Sequence, residues 1–349
     1  MRADAGGAIL KPASCKQTVM KIPTELLDSL KIDPHSTAAW IENWIREIVY
    51  KRLKRKGAVV ALSGGIDSSV VATLCSHALG PERVLGLLMP ETDSSADSLR
   101  LGRSVAATLG IGTVVEDITP VLRTMECYTR RDAAIRSVIP QYREGYRSKI
   151  VLPSIVDPTG YAIFSVVVES PSGEQIKARL TAAAYLGIVA ATNFKQRTRK
   201  MLEYYHADRL QYAVAGTPNR LEFELGFFVK SGDGAADFKP IAHLYKTQVY
   251  QLAEYLGVSN EIRRRTPTTD TYSLQQSQEE FYFSVPLTHM DLCLYARDHH
   301  LPATSVAEAT GMTPEQAARV LAGIDTKRTA ASYLRSEALY PRTELSSTA

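Results

Sequence analysis

The chain has 349 residues, of which 45% are hydrophobic and 22% are charged. A chain of this length and composition can bury a full hydrophobic core, so we expect a globular protein with one large domain, alone or with an appendage. Its 41 basic and 37 acidic residues leave a net charge of +4. This mild excess suits anionic small molecules and is too weak to predict a nucleic-acid partner.

The sequence predicts neither a membrane segment nor a metal site built from cysteines. No stretch reaches about 18 uninterrupted apolar residues, and residues 1–20 lack the apolar region of a signal peptide. The four cysteines, Cys15, Cys75, Cys127 and Cys293, do not have metal-binding spacing. We therefore expect a cytoplasmic protein in which at least Cys75 and Cys293 are buried, reduced thiols.

The first 36 residues contain scattered glycine and proline without a clear period, which predicts a loose N-terminal extension. From Thr37 to Leu53 apolar pairs recur at helical spacing, so a helix is expected there. The main domain is predicted to span residues 37–335. Residues 336–349 are expected to form a flexible tail.

The next stretch, VVALSGGIDSS at residues 59–69, has the pattern of a phosphate-binding loop. An apolar strand and a glycine turn precede a helical repeat that stops at Gly80, which places backbone N–H groups around an anion. Gly64 and Gly65 allow close approach of the main chain. The hydroxyl donors are Ser63, Ser68 and Ser69. Asp67 would repel a phosphate unless a divalent cation lay between them, so a magnesium ion is implied.

A simpler interpretation of this turn is a helix N-terminus capped by Asp67 or Ser68 with nothing bound. The lysine of the common nucleotide-binding loop is missing. The letters SGGIDSS nevertheless resemble the PP-loop of the ATP pyrophosphatase superfamily. Its members use ATP to adenylate a carboxylate, carbonyl or amide oxygen and release pyrophosphate.

Strands and helices then alternate. Residues 83–89 and 113–118 are predicted strands, and residues 96–110 are the helix between them. This alternation predicts an α/β fold, a doubly wound parallel sheet with helices on both faces. Ligands of such sheets bind beyond the carboxyl ends of the strands, where SGGIDSS and the later MPETDSS both fall.

Residues 130–192 interrupt the alternation and are predicted to be an insertion that contains a β-hairpin. FSVVVE and QIKARL flank the turn residues PSG. Such an insertion is more often a surface or oligomer element, although long insertions also form lids. Alternation resumes with a helix at 193–207 and a strand at 211–216.

A second dense cluster follows in residues 216–257. It offers Thr217 at a strand end, Glu222, the acidic glycine-rich loop KSGDGAAD, and Lys246 on the first turn of an amphipathic helix. The carboxylates of this loop can accept hydrogen bonds from ribose hydroxyls, amides or arginines. Taken singly, each residue could equally serve loop solvation or helix capping.

Together the two clusters resemble the ammonia-dependent NAD synthase family. The motifs SGGIDS, NFKQRTR, GTPNRLEFELGFFVKSGDGAAD, LYKTQ and TPTTD appear in the family's order. The resemblance runs from Thr37 to Leu334, except for residues 130–192.

The resemblance implies a site for each substrate. Asp67 and Glu222 would hold Mg²⁺, and with Lys246 they would form the catalytic group. The ATP-binding residues would be Ser63, Gly64, Gly65, Asp67, Ser68, Ser69, Met89, Thr217, Lys246 and Thr268. The residues of the deamido-NAD site would be Arg197, Phe227, Phe228, Lys230, Asp233, Asp237, Glu280 and Lys327.

Three departures from the family pattern fall on the side of the acceptor. Where the family has E-L-G-x-S-Y, residues 280–285 place Tyr282 at the glycine position. The family's H-K-R is Thr326, Lys327 and Arg328, so the histidine is lost and the lysine is kept. The insertion is the third departure.

The expected function is therefore an ATP-dependent amide synthetase, with ATP as co-substrate. It would adenylate deamido-NAD, release pyrophosphate and let ammonia displace AMP. One alternative is the same chemistry on another carboxylate, and another is a PP-loop nucleotide-binding protein without ligase activity. Ammonia would be free or delivered by a separate glutaminase, and the resemblance implies a homodimer.

Overall fold

The computed structural model describes residues 24–152, 164–268 and 271–340. Residues 1–23 of the predicted extension and residues 341–349 of the predicted tail lie outside the described residues. Within the described ranges, no helix is both long and apolar enough to cross a membrane.

The strands are β1 Ala58–Ala61, β2 Val84–Leu88, β3 Gly112–Val115, β4 Arg147–Val151, β5 Ser165–Glu169, β6 Gln175–Arg179 and β7 Ala213–Ala215. The first helices are α1 Thr24–Asp28, α2 Pro34–Arg46, α3 Ile66–Leu79, α4 Ala96–Leu109, α5 Thr119–Thr124, α6 Cys127–Arg136 and α7 Ala182–Leu210. The later helices are α8 Arg220–Leu225, α9 Lys246–Tyr255, α10 Asn260–Arg264, α11 Leu287–Asp298, α12 Ala303–Thr310 and α13 Pro314–Arg335. Short non-α turns span Glu47–Arg52, Pro81–Arg83 and Glu279–Phe283.

The central sheet is parallel, in the order β3-β2-β1-β7. Side chains alternate between its two faces, because successive residues of a strand point in opposite directions. Ala58 and Val60 pack with α2, α3 and α9, whereas Val59 packs with α5 and α7 on the other face. Both faces are therefore covered by helices, as the sequence predicted.

The N-terminal helices begin earlier than predicted. Helix α2 starts at Pro34, three residues before Thr37, because the Asp33 carboxylate caps the amides of His35 and Ser36. Helix α1 lies inside the predicted loose extension, and Leu30 just after it is buried among the C-terminal helices. The stabilising contacts of this segment are with residues far away in the sequence, so no local period shows them.

The inserted segment forms three strands rather than a single hairpin. Strands β5 and β6 are the predicted hairpin, and β4 pairs with β5 to give an antiparallel sheet in the order β4-β5-β6. Its apolar face packs on α6 and α7. The prediction that a helix starts at residue 193 was wrong, because α7 begins at Ala182, where Thr181 caps the amide of Ala184.

The cysteines behave as predicted within the described residues. Cys75, Cys127 and Cys293 are buried free thiols. Burial raises the pKa of Cys75 and of Cys293. A neutral thiol in an apolar setting is a packing residue, not a nucleophile.

Candidate active site

The loop between β1 and α3 has the geometry of an anion site. Gly64 has a φ of 72°, and a Cβ atom there would lie 2.6 Å from the carbonyl oxygen of Ser98. A side chain at this position is therefore excluded by both backbone conformation and space. The backbone then enters α3 through Gly65, so the free amides of the helix N-terminus face a cavity.

This cavity has a volume of about 550 Å³ and lies beyond the carboxyl ends of β1, β2 and β7. The segments that follow these strands, residues 61–63, 87–90 and 215–218, all line it. Further parts of the wall come from one face of α7, from residues 226–229 and from the segment 271–282. This is the position predicted for ligands of a parallel sheet, beyond the carboxyl ends of its strands.

Many of the predicted site residues meet in this cavity. Those that line it are Ser63, Gly65, Asp67, Ser68, Met89, Thr217, Glu222, Phe227, Phe228, Asp233, Thr268 and Lys327. The predicted residues that do not line it are Gly64, Ser69, Lys246, Arg197, Lys230, Asp237 and Glu280.

Three residues of the predicted ATP site act just behind the cavity wall. Gly64 allows the loop to turn, and the Ser69 hydroxyl donates to the carbonyl oxygen of Gly65 at 2.7 Å. Lys246 reaches the site through its ion pair with Asp67. These three residues therefore hold the loop in place and do not form the surface of the cavity.

Four residues of the predicted acceptor site bind elsewhere in the protein. Arg197 donates to the carbonyl oxygen of Lys230 at 3.3 Å, and Lys230 donates to that of Tyr333 at 2.8 Å. Asp237 accepts a hydrogen bond of 2.7 Å from the amide of Val214 in β7. Glu280 forms an ion pair with Lys149 of β4 at 2.7 Å. Each of these four side chains therefore has a partner within the protein.

Asp67 and Lys246 form a buried ion pair at the start of α3. The second oxygen of Asp67 accepts a hydrogen bond of 3.0 Å from the side-chain amide of Asn219. Burial alone would lower the pKa of Lys246, but the carboxylates of Asp67 and Glu222 hold it above its ordinary value. Lys246 is therefore a fixed positive charge beside the anion site.

Glu222 lies next to this pair and is held at both oxygens. One accepts from the side-chain amide of Gln278 at 3.0 Å, and the other from the backbone amide of Asn219 at 3.1 Å in the capping box of α8. Burial, and then the charge of Asp67, raise the pKa of Glu222 to about 8. Two neighbouring carboxylates that resist ionising together form a donor set that a divalent cation would stabilise.

The carboxylates of Asp67 and Glu222 fit Mg²⁺ better than a metal ion that takes all of its ligands from protein side chains. Across the part of the chain that the structure describes, no group of three or more His, Cys, Asp or Glu side chains could hold a metal ion. Mg²⁺ is commonly held by one or two carboxylates and completed by phosphate oxygens and water. Asp67 at the end of the predicted phosphate loop and Glu222 in α8 could form such a pair.

Tyr282, which the sequence analysis singled out as a departure from the family pattern, forms part of the cavity wall. Its ring stacks on Phe227 at 4.8 Å, and its hydroxyl donates to the carbonyl oxygen of Leu225 at 2.6 Å. The ammonium group of Lys327 lies 4.3 Å from the centre of the Tyr282 ring. Burial lowers the pKa of Lys327 to about 8. The tyrosine is therefore fixed in place, with its hydroxyl satisfied by protein.

A buried ionic cluster beside the cavity was not predicted from the sequence. Lys195 of α7 is fully buried and donates to Glu91 at 2.9 Å, to Asp93 at 2.6 Å and to the carbonyl oxygen of Thr271 at 2.7 Å. Arg131 of α6 also binds Asp93. A signal was available, because Lys195 falls at helical spacing from the buried Ile188 and Ala191, where a charge needs a partner.

The face of α7 that follows Lys195 also contributes unpredicted charges. Arg199, Lys200 and Glu203 line the cavity, and Lys200 pairs with Glu203 at 2.6 Å. Burial raises the pKa of both Glu203 and the neighbouring Asp233. These three residues lie inside the predicted helix 193–207, but its period alone did not show that this face lines the cavity. The start predicted at 193 also left out Tyr185, Val189 and Thr192, which line the cavity from the first turns of α7.

A family model described as NAD synthase matches residues 37–142 and 169–330. The chain belongs to the NAD synthase family. Its unmatched internal segment, residues 143–168, is shorter than the predicted insertion of 130–192, because α6 and α7 are part of the family's frame. The segment outside the family match contains β4 and most of β5.

Curated relatives are similar over almost their whole length. The chain is 56% identical over 310 residues to the NH(3)-dependent NAD(+) synthetase of Mesorhizobium japonicum, covering 89% of this chain and 97% of the relative. It is 56% identical over 307 residues to the protein of the same name from Rhizobium meliloti, covering 88% and 92%.

Solved structures confirm the fold. The NMN synthetase from Francisella tularensis has a TM-score of 0.62 and 22% identity, over 89% of this chain and 99% of that one. The NH3-dependent NAD synthetase from Campylobacter jejuni has a TM-score of 0.59 and 21% identity, over 89% and 100%. The doubly wound PP-loop fold of NAD synthases is therefore the fold of this chain.

Replacing Lys195 by methionine should destabilise the protein strongly. In the variant, Glu91 and Asp93 would stay buried without the positive charge of Lys195. Breaking a buried ion pair typically lowers the free energy of unfolding by about 3–5 kcal/mol. Urea unfolding monitored by circular dichroism measures the change. The matched control is Lys31→Met, whose ion pair with Asp28 is exposed and should contribute about 0–1 kcal/mol. Equal unfolding midpoints for the two variants would contradict the prediction.

Proposed function

We propose that the protein is an ammonia-dependent NAD synthase that adenylates deamido-NAD with ATP and amidates the adenylate. The observation that carries the proposal is the cluster of Asp67, Glu222 and Lys246 beside the anion site, in a chain similar along its length to curated NH(3)-dependent NAD(+) synthetases. The enzyme is a ligase that forms a C–N bond.

In the first step, the substrate carboxylate attacks the α-phosphorus of ATP, and the bond to pyrophosphate breaks. The N-terminus of α3 and the hydroxyls of Ser63 and Ser68 bind phosphate oxygens. Lys246 places a positive charge where negative charge grows on the leaving pyrophosphate. Asp67 and Glu222 would hold Mg²⁺, which neutralises phosphate charge when it is bound.

In the second step, ammonia attacks the carbonyl carbon of the acyl adenylate, AMP leaves, and the nitrogen loses a proton. The cavity walls position the adenylate and limit access of water, which would hydrolyse it. The fixed rings of Phe227 and Tyr282 form part of those walls. Free ammonia or ammonia released by a separate glutaminase would serve this step equally.

A second candidate keeps the chemistry and changes the acceptor to another carboxylate. The observation that favours it is Tyr282, a bulky side chain that lines the cavity at a position where the family pattern would have glycine. An assay that compares acceptors separates the two candidates.

The assay for the proposed function supplies ATP, Mg²⁺ and ammonium and measures pyrophosphate and NAD formed from deamido-NAD. Asp67→Asn and Glu222→Gln should each abolish product while circular dichroism stays native, because they remove cation ligands at a cleft. The control is Glu254→Gln, an exposed carboxylate on α9. Pyrophosphate released only with a different carboxylate would favour the second candidate. Full activity of both cleft variants would contradict the metal assignment.

Replacing Lys246 by alanine should slow adenylation more than it weakens ATP binding. The Lys246 charge matters most when pyrophosphate leaves, so its loss lowers kcat by about 100- to 1000-fold, the usual cost of one preorganised electrostatic contact. Single-turnover formation of the adenylate, together with the Kd for ATP, separates the two effects. A raised KM with unchanged kcat would mean that Lys246 only binds ATP.

We also propose that the protein is a homodimer whose two subunits contact one another through α7. The apolar face of α2 is buried, and only Trp40 of its large apolar residues is exposed, so this helix offers little apolar surface to a partner. Helix α7 instead exposes Leu186, Met201 and Tyr205 along one side. Light scattering at micromolar concentration should give a dimer, and the double variant Met201→Glu, Tyr205→Glu should give a monomer. A monomeric unmutated protein would refute this arrangement.

A further inference from the structure

One side of the cavity is formed by the segment of residues 271–283. Thr271, Tyr272, Gln278, Phe281 and Tyr282 of this segment line the cavity. The segment has only one helical turn, Glu279–Phe283, so few of its backbone groups are satisfied internally. Its conformation therefore depends on what it is bound to.

The inserted sheet supplies many of those partners. Strand β4 is an edge strand that pairs only with β5 in the sheet, so its other edge is available for hydrogen bonds. The amide of Leu274 donates to the carbonyl oxygen of Ser148 at 3.1 Å, and the amide of Ser148 donates to the Ser273 hydroxyl at 2.9 Å. The side-chain amide of Gln276 donates to the carbonyl oxygen of Ile150.

An ion pair extends the same contact. Lys149 lies between Ser148 and Ile150 in β4 and binds Glu280 at 2.7 Å. Strand β4 therefore contacts the 271–283 segment at residues 273, 274, 276 and 280, on both sides of Gln278. This strand lies within residues 143–168, the internal segment that the family match leaves out.

Gln278 connects this segment to the cation-binding carboxylates. Its side chain is 8% exposed, and its amide nitrogen donates to Glu222 at 3.0 Å. Its backbone amide is fixed by the carbonyl oxygen of Pro267 at 3.0 Å. Because the other oxygen of Glu222 is held by the amide of Asn219, the Gln278 bond sets the remaining rotation of the carboxylate.

We propose that Gln278 is a positioning residue that orients Glu222 toward the cation, and that the inserted sheet keeps Gln278 in place through strand β4. This inference rests on the proposed function, since it takes Glu222 as a cation ligand. It gives the insertion a role in the reaction, because a segment outside the family frame fixes a carboxylate inside it.

The test measures cation binding directly, with Mn²⁺ as the probe, ATP present, and neither deamido-NAD nor ammonium added. Gln278→Leu keeps the side-chain volume and removes the donor, so electron paramagnetic resonance should show Mn²⁺ affinity about 10- to 100-fold weaker. In assays, the Mg²⁺ concentration for half-maximal rate should rise, while kcat at saturating Mg²⁺ changes less. Gln278→Asn retains the amide but cannot reach Glu222, so it should weaken Mn²⁺ binding as well if the leucine variant does not fold.

The control is Gln175→Leu, which removes a similar bond, of 2.8 Å, from Gln175 to Glu169 in the inserted sheet. It should leave Mn²⁺ affinity unchanged. Gln276→Leu should weaken Mn²⁺ binding by a smaller factor than Gln278→Leu and speed hydrogen exchange at the Leu274 amide, which tests the part played by β4.

The outcomes separate this inference from the proposed function. An unmutated chain that makes NAD and binds Mn²⁺ with ATP, beside a folded Gln278→Leu variant of the same Mn²⁺ affinity, would overturn the inference alone. An unmutated chain that neither binds Mn²⁺ with ATP nor releases pyrophosphate would overturn both. Weaker binding in Gln278→Leu with unchanged binding in Gln276→Leu would remove the role of the sheet.

Discussion

The candidate active site depends on keeping two carboxylates and one ammonium group together beside a helix N-terminus, where anions are favoured. Asp67 and Glu222 repel one another, and burial adds to the cost of ionising Glu222. Lys246 offsets part of that charge through its ion pair with Asp67. The remaining negative charge suits a divalent cation, and a cation in turn makes the site suitable for the phosphates of ATP.

Three helix starts maintain this balance. Asp67 lies in the first turn of α3, and Lys246 is the first residue of α9. Glu222 is the third residue of α8 and forms the capping box of that helix with Asn219. The beginning of a helix is a well-defined place, because its first amides require partners and fix the nearby backbone. The Asp291 carboxylate accepts from the amides of Lys246 and Thr247, so it fixes the start of α9 in this way. The site therefore gains rigidity from caps that also satisfy the backbone.

The sequence was most informative where function depends on neighbouring residues. The turn at Gly64 and Gly65, the hydroxyls around it and the strand before it lie within about ten residues, so their pattern predicted the anion site. The parallel sheet followed from the regular alternation of strands and helices. The starts of α2 and α7 were less predictable, because Asp33 and Thr181 are ordinary polar residues whose capping role appears only in the fold.

The site contacts that the sequence did not reveal join residues far apart in the chain. Lys195 binds carboxylates about one hundred positions earlier and a carbonyl group at Thr271, and Gln278 binds Glu222 across 56 positions. No spacing rule encodes such pairs, since the intervening elements decide whether the side chains meet. A charged residue at a buried helical position does show that a partner must exist, even though the partner cannot be named.

The inserted sheet illustrates how an addition to a fold can become part of its chemistry. An antiparallel edge strand carries unpaired backbone groups, and any segment that satisfies them becomes fixed relative to the sheet. In this chain the edge of β4 forms hydrogen bonds with the 271–283 segment, which lines the cavity. The same bonds satisfy the edge strand and hold the cavity wall in place. The constraint acts on the wall that Tyr282 helps to form. The inserted sheet and this wall therefore belong to one connected unit, through Lys149 and Glu280.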